Sequence, residues 1–135
     1  MIEIINVSKS FNSHKVLNDL SFKIDTATTT VIIGRSGCGK SVLLKHIIGL
    51  IRPDSGKVMV DGEDVTALGE NELNGLRMKI SMVFQGGALF DSLTVAENVG
   101  FGLIEHQHAP RKELLEKAEE ALCTVGLCGI GNLMP

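Results

Sequence analysis

Apolar residues recur along this chain first in short β-branched runs and later in stripes at helical spacing. Met1 to Val7 alternates loosely and predicts a strand; Leu20 to Ile24 predicts another, with Lys23 facing outward. Thr28 to Ile33 is β-branched throughout and carries no charge, the pattern of a strand buried on both faces of a parallel sheet. Val42 to Ile51 is apolar nearly all round and predicts a buried helix, which the cluster Arg52-Pro53-Asp54-Ser55-Gly56 stops. Lys57 to Val60 is a short strand ending at an Asp61-Gly62 turn, Glu70 to Lys79 a helix, and Ile80 to Phe84 a second strand of the buried kind. Thr94 caps a helix running from Val95 towards Glu105, with Glu97 at the capping-box position. After Pro110, the residues Leu114, Leu115, Ala118, Ala121, Leu122 and Val125 fall on one face of an amphipathic helix.

Length and composition narrow the class without naming a chemistry. A chain of 135 residues suits one domain with a useful core, and 44% hydrophobic against 21% charged residues is a globular balance. The net charge of −3 gives no electrostatic reason to expect nucleic acid, and five Phe with no Trp or Tyr is a poor supply for base stacking. Cys38, Cys123 and Cys128 are odd in number and form no C-x-x-C, so reduced thiols of a cytosolic protein are expected. No signal peptide is evident at the N-terminus, and the apolar run at 42–51 is too short to span a bilayer. Any membrane role must come through a partner.

The chemistry concentrates in G-R-S-G-C-G-K-S, Gly34 to Ser41, between the β-branched run and the apolar helix. Gly34, Gly39, Lys40 and Ser41 match G-x-x-x-x-G-K-[ST]. A tight strand-to-helix loop points successive backbone amides inward and forms an anion nest, to which the helix N-terminus adds about half a positive charge. Glycines let the backbone approach phosphate without a Cβ in the way. Lys40 can reach β- and γ-phosphates, and the Ser41 hydroxyl can ligate Mg²⁺, a hard ion that takes oxygen donors. A merely structural turn would leave Lys40 without a counter-charge at a buried helix start, which is costly.

Residues beyond the loop carry a family resemblance. K-S-F-N-S-H-K-V-L-N-D-L-S-F precedes the loop, M-V-F-Q (Met82 to Gln85) ends a strand after it, and L-T-V-A-E-N-V (Leu93 to Val99) follows. Across its whole length the chain resembles the nucleotide-binding subunit of an ABC transporter. G-C-G-K-S-V-L-L-K and F-Q-G-G-A-L-F-D-S-L-T-V-A-E-N-V resemble most the Mla/Mce-type ATPases that drive phospholipid transport at the Gram-negative inner membrane. The fold implied is α/β: a P-loop NTPase, here a partial ABC-type nucleotide-binding domain over residues 1–135, with a parallel core sheet and a small antiparallel β subdomain. The ligands implied are ATP and Mg²⁺. Phe11 matches the aromatic that stacks on adenine, and Val16 packs near the base or ribose. Gly34, Ser36, Gly37, Cys38, Gly39, Lys40, Ser41 and Val42 match the phosphate loop. Gln85 matches the Q-loop glutamine, which ligates Mg²⁺ with Ser41 or orients the attacking water. Residues 86–94 would then face the coupling helix of a transmembrane permease, with Leu89, Phe90 and Leu93 as a contact patch; filling the local core is their simpler use. A second ATP-binding subunit, in a homodimer peripheral on the cytoplasmic face of the inner membrane, is also implied.

The family's L-S-G-G-Q-like signature, its Walker B aspartate with adjacent glutamate and its switch histidine find no match in this sequence. Val58-Met59-Val60-Asp61 is followed by Gly62 and comes too soon after the loop, so it reads as a strand and turn. Asp61-Gly62-Glu63-Asp64 lacks the spacing and closing Glu of a calcium loop. His46 is expected to be a packed core residue, His106 and His108 to be solvated, and His14 to flank the base site. The chain is therefore expected to stop short of the signature motif, to bind MgATP and to turn over little, since loss of a positioning base commonly costs about 10²–10⁴ in rate. A non-catalytic nucleotide-binding or interaction fragment is the alternative. A P-loop small-molecule kinase is disfavoured because Arg35, Arg52, Arg77 and Arg111 form no lid-like cluster.

Overall fold

The computed structural model describes residues 1–84, 86–107 and 110–135, without the side chains of 105–107. Gln85 and His108 lie outside the described residues, as does the side chain of His106. The chain divides into two compact units, residues 1–82 and 83–135.

The first unit is built on a four-stranded antiparallel sheet. β1 (Ile2–Phe11) lies between β2 (His14–Ile24) and β3 (Ser55–Val60), and β4 (Glu63–Asp64) flanks β3. Both β1 and β2 outrun the apolar segments that predicted them, because polar side chains carry the ladder through an irregular middle. Asn6 and Asp19 take left-handed φ values of 51° and 48°. The Asn6 amide donates to Ser21 Oγ at 2.8 Å, the Asp19 amide donates to Ser8 Oγ at 2.9 Å, and Asn6 Nδ2 donates to Asp19 Oδ1 at 2.8 Å. Side chains thus replace ladder partners that the bulges displace. Opposite this bulge Gly56 has φ 86°, and a Cβ there would stand 2.3 Å from the Asn6 carbonyl oxygen. Only glycine lets β3 come that close to β1.

Ile4, Val7, Val58 and Val60 form one buried cluster with Leu43 and Ile47 of α1 (Lys40–Ile47) and Leu73 and Leu76 of α2 (Glu70–Arg77). Each such side chain contributes about 1.5–3 kcal/mol on burial. α1 is shorter than the apolar run at 42–51, because Gly49 turns left-handed at φ 66° and ends it. Arg77 closes that end: its Nε and Nη2 donate to the carbonyls of Ile48 and Gly49 at 3.2 and 3.1 Å, where the helix dipole favours a cation. α2 begins with Glu72 Oε2 accepting the Gly69 amide at 2.8 Å.

Two expectations need correcting here. Among the described residues every ladder is antiparallel, and neither 28–33 nor 80–84 joins one. Nor is either segment buried on both faces. Ile32 and Ile80 pack against the core of the first unit, but Val31 and Ile33 are 75% and 91% exposed and Val83 is 92% exposed. A β-branched run is covered twice only when strands and helices flank it on both sides, and here only Ile32 of the first run and Ile80 and Met82 of the second are covered, each in part.

The second unit is helical. Its elements are α3 (Val95–Val99), α4 (Phe101–Gln107) and α5 (Arg111–Thr124). The capping box forms as read: Glu97 N donates to Thr94 Oγ1 at 3.3 Å and Thr94 N to Glu97 Oε2 at 2.9 Å. The expected single helix from 95 to 105 instead breaks at Gly100. A Cβ at Gly100 would lie 2.6 Å from Leu114 Cγ, so the break is where α5 packs closest. Leu114, Ala118 and Leu122 form the buried stripe of α5, whereas Ala121 is exposed and Val125, past the helix end, is 70% exposed. Cys123 and Cys128 are joined by a disulfide with Cα atoms 4.3 Å apart, which corrects the expectation of reduced thiols; Cys38 is free. The five-residue separation joins the last turn of α5, which holds Cys123, to the turn that follows it, a proximity that the count of three cysteines concealed.

Candidate functional site

The loop 34–41 owes its shape to two left-handed glycines and one neighbouring strand. Gly37 and Gly39 have φ values of 78° and 98°, and Gly39 is the N-cap of α1, its carbonyl accepting the Leu43 amide at 2.9 Å. At Gly39 a Cβ would lie 2.8 Å from Val16 Cγ1 and 3.2 Å from the Val16 carbonyl oxygen. The loop therefore lies directly against β2, and position 39 requires glycine both for its conformation and for its space.

Lys40 folds back over this loop. Its ammonium donates to the carbonyls of Gly34 and Arg35, both at 2.8 Å, and stands 3.8 Å from Cys38 Sγ. Among the described residues no acidic side chain pairs with it. A half-buried cation held only by neutral carbonyls, at the positive end of a helix, is an arrangement that an anion stabilises. Ser36, Gly37, Cys38 and Ser41 are exposed, so ligand access to the loop is open. A cavity of about 260 Å³ adjoins it, lined by Val16, Leu17, Ile32, Gly39, Lys40 and Leu43 among others.

The structure thus brings Val16, Cys38, Gly39 and Lys40 together around one cavity. Val42 is half-buried on α1. Phe11 stands apart from that lining at the end of β1, paired with His14 across a tight turn and 42% exposed. Its ring is not a core element, and Lys9 Nζ lies 5.7 Å from its centroid. Gln85 lies outside the described residues. Leu89 and Phe90 are 59% and 46% exposed, whereas Leu93 is half-buried.

His46 is 1% exposed within α1, in keeping with a packed core residue. Its Nδ1 lies 2.7 Å from the Val42 carbonyl oxygen, and its buried Nε2 has no partner among the described residues. Burial holds its pKa below the usual imidazole range, opposed by the bond to Val42; Lys9 depresses it further and Asp54 raises it. A larger cavity of about 660 Å³ lies between β4 and α2, and two of the acids lining it are engaged: Asp64 accepts from the Thr66 amide at 3.0 Å and Glu72 caps α2. Among the described residues no group of three metal-ligating side chains occurs, and no helix is long and apolar enough to cross a membrane.

Sequence reasoning missed two polar anchors. Asn98 on α3 donates through Nδ2 to the carbonyls of Phe90, Leu93 and Thr94 at 3.0–3.1 Å and accepts the Phe90 amide at 2.8 Å, which fixes the loop 90–94. Asp54, read only as part of a turn cluster, clasps the end of β1 through contacts to Ser8, Lys9 and Ser10. The Asn in the quoted string L-T-V-A-E-N-V was a signal for the first; nothing local signalled the second.

Comparison with known proteins places this loop in a family context. The ABC transporter family profile matches residues 17–132. The Fe(3+) ions import ATP-binding protein FbpC of Rhizobium etli is 43% identical over 130 residues, covering 96% of this chain and 35% of that protein. The chloroplastic protein TRIGALACTOSYLDIACYLGLYCEROL 3 of Arabidopsis thaliana is 43% identical over 136 residues, covering 100% of this chain and 39% of that protein. The chain therefore spans little more than a third of the length of these relatives. Among solved structures, the ATP-binding cassette MJ0796, a dimer in a post-hydrolysis state bound to ADP and Pi, superposes with a TM-score of 0.87 at 31% identity over 100% of this chain and 62% of that one.

Proposed function

Since this chain belongs to the ABC transporter ATP-binding family, we propose that its 34–41 loop binds the polyphosphate of MgATP, within an ATP-binding subunit that energises phospholipid transport at the inner membrane. The observation that carries the nucleotide reading is Lys40, whose ammonium has two carbonyls at 2.8 Å and no carboxylate partner among the described residues. Phosphate oxygens at the nest replace those carbonyls and bring the missing charge. Gly34, Ser36, Gly37, Gly39 and Val42 offer backbone amides, joined by that of Cys38 once it leaves the Arg35 carbonyl 3.3 Å away, and Val16 bounds the ribose side. Phe11 stacks on the base.

The donor set fits magnesium. Ser41 is exposed in the first turn of α1 and offers one hard oxygen, and Mg²⁺ keeps several waters and takes phosphate oxygens for the rest. When bound, the ion would spread positive charge over the β- and γ-phosphates. Gln85, by resemblance, supplies a second protein oxygen. Turnover by residues 1–135 alone is expected at background, because they hold no match to the family's Walker B aspartate with adjacent glutamate. In the whole protein a second copy faces the loop, as the dimeric relative suggests, and residues 86–94 meet a permease through exposed Leu89 and Phe90.

The lipid cargo is favoured by the likeness to Mla/Mce-type sequences and by a relative named for a galactolipid. A ferric-ion relative of equal identity favours a second reading, in which the same ATP-binding part serves an ion importer. Titration of the full chain with MgATP tests the core of the proposal. Lys40→Ala should weaken binding about a hundredfold, the loss of two charge-assisted hydrogen bonds, with phosphate release near background for both proteins. Equal affinity in Lys40→Ala would overturn it.

A further inference from the structure

Asp54 lies in the turn that follows α1, and three of its groups grip the strand end that carries Phe11. Its amide donates to the Ser8 carbonyl at 2.9 Å. Its carboxylate accepts from Lys9 Nζ through Oδ1 and from the Ser10 amide through Oδ2, both at 2.7 Å. These two hydrogen bonds, Lys9 first, hold the Asp54 carboxyl below its usual range. The grip extends to the ring itself, since the same Lys9 ammonium stands 5.7 Å from the Phe11 centroid.

α1 is a rod of eight residues with the phosphate loop at its start, and the clasp at Asp54 stands seven residues past its last residue, Ile47. We propose that Asp54 is a positioning residue for the nucleoside end of the ligand: through Lys9 and Ser10 it fixes the Phe11 ring relative to α1, and so governs affinity for adenosine without governing affinity for polyphosphate. The proposal rests on the reading of Phe11 as the base-stacking residue. The geometry supplies the logic. Ser10 immediately precedes Phe11, so holding its amide fixes the backbone from which the ring projects. Lys9 takes one face of the ring, and a planar base stacks on the other. Loss of the carboxylate frees Lys9 from its salt bridge and lets both the strand end and the ring move. The phosphate nest depends on Gly37, Gly39 and β2, none of which Asp54 touches.

The test compares MgATP with inorganic tripolyphosphate on the full chain and on Asp54→Asn, Lys9→Met, Phe11→Ala and the double variant Asp54→Asn/Phe11→Ala. Base stacking on an aromatic side chain governs about a tenfold to hundredfold range of affinity. Asp54→Asn and Lys9→Met should each weaken MgATP about tenfold and leave tripolyphosphate within about twofold. In the Phe11→Ala background Asp54→Asn should add no further loss, since both act on one ring. Equal losses for the two ligands, or an undiminished effect of Asp54→Asn without Phe11, would overturn the proposal. Phe11→Ala binding MgATP normally would sink the stacking reading and the proposal with it, whereas a loss in Phe11→Ala with none in Asp54→Asn would sink the proposal alone. Circular dichroism of each variant separates misfolding from a loss of affinity, and Lys9→Met, which leaves the Asp54 backbone contacts in place, keeps the question open to test if Asp54→Asn unfolds.

Discussion

Replacing His46 by leucine should stabilise the protein, and increasingly so as the pH falls. The imidazole is 1% exposed, its Nδ1–H donates to the Val42 carbonyl at 2.7 Å, and its Nε2 is buried with no partner among the described residues. An orphaned buried acceptor costs about 1–3 kcal/mol, while the hydrogen bond lost with it contributes about 0.5–1.5 kcal/mol. The Val42 carbonyl keeps its place in α1, and leucine has about the right volume, so His46→Leu should gain on the order of 1 kcal/mol at neutral pH. The pH dependence follows from the lowered pKa, whose main cause is burial. The folded protein favours the neutral ring, so the unfolded chain takes up the proton first. Stability is whole above the unfolded value of about 6.5 and declines as pH falls below it, by up to about 1.4 kcal/mol per unit, until the folded value is reached. The carboxylates with lowered values, Asp54, Asp61 and Glu97, act in the opposite state and at lower pH: their contribution is present above the usual carboxylate range and is lost below it. Urea unfolding at pH 7.5 and pH 5.5 reads the difference directly. Wild type should lose stability between the two, and His46→Leu should lose less. Identical pH slopes for the two proteins would refute a buried neutral imidazole.

Gly56→Ala should destabilise the first unit by about 2–4 kcal/mol, since the new Cβ meets the Asn6 carbonyl 2.3 Å away and the residue sits at φ 86°; thermal unfolding checks this, and a midpoint within a degree of wild type would mean that β1 and β3 are not so close. Reduction of the Cys123–Cys128 bridge should lower the stability of the second unit by about 2 kcal/mol, the loop-closure entropy of so short a ring. Amide exchange of residues 122–131 with and without dithiothreitol measures it, and unchanged protection would show that the turn needs no bridge.

How much of this was legible depended on how far apart the participating residues lie. The loop reads from sequence because its makers are local: glycines at 34, 37 and 39, a lysine at 40 and carbonyls five and six residues back. The capping box at Thr94 and Glu97 is legible for the same reason, with donor and acceptor three positions apart. Elements whose extent is set by distant partners were misjudged. β1 and β2 outran their apolar runs because Asn6, Ser8, Asp19 and Ser21 complete one another's bonds, a pairing visible only once the strands are laid side by side. The β-branched runs at 28–33 and 80–84 misled for the converse reason. Periodicity reports what a side chain prefers, not what covers it, and Ile33 and Val83 are apolar residues in water.

The same distinction separates the two ends of the candidate site. The phosphate end is a property of one short loop pressed against one strand, so a single motif announces it. The proposed base end joins residues 44 and 45 positions apart, Ser10 and Lys9 to Asp54, and no motif can announce a contact whose members are so distant. Asp54 in a Pro-Asp-Ser-Gly turn is an ordinary turn former by every local rule. It becomes informative only because the turn sits beyond a helix whose other end carries the nest. A nucleotide is a long ligand with a charge at one end and a ring at the other, and a protein that holds both must fix the distance between them. On the proposed reading that distance is set by a helix, a turn and a carboxylate, so a specificity defect is expected to map to the clasp and an affinity defect to the loop.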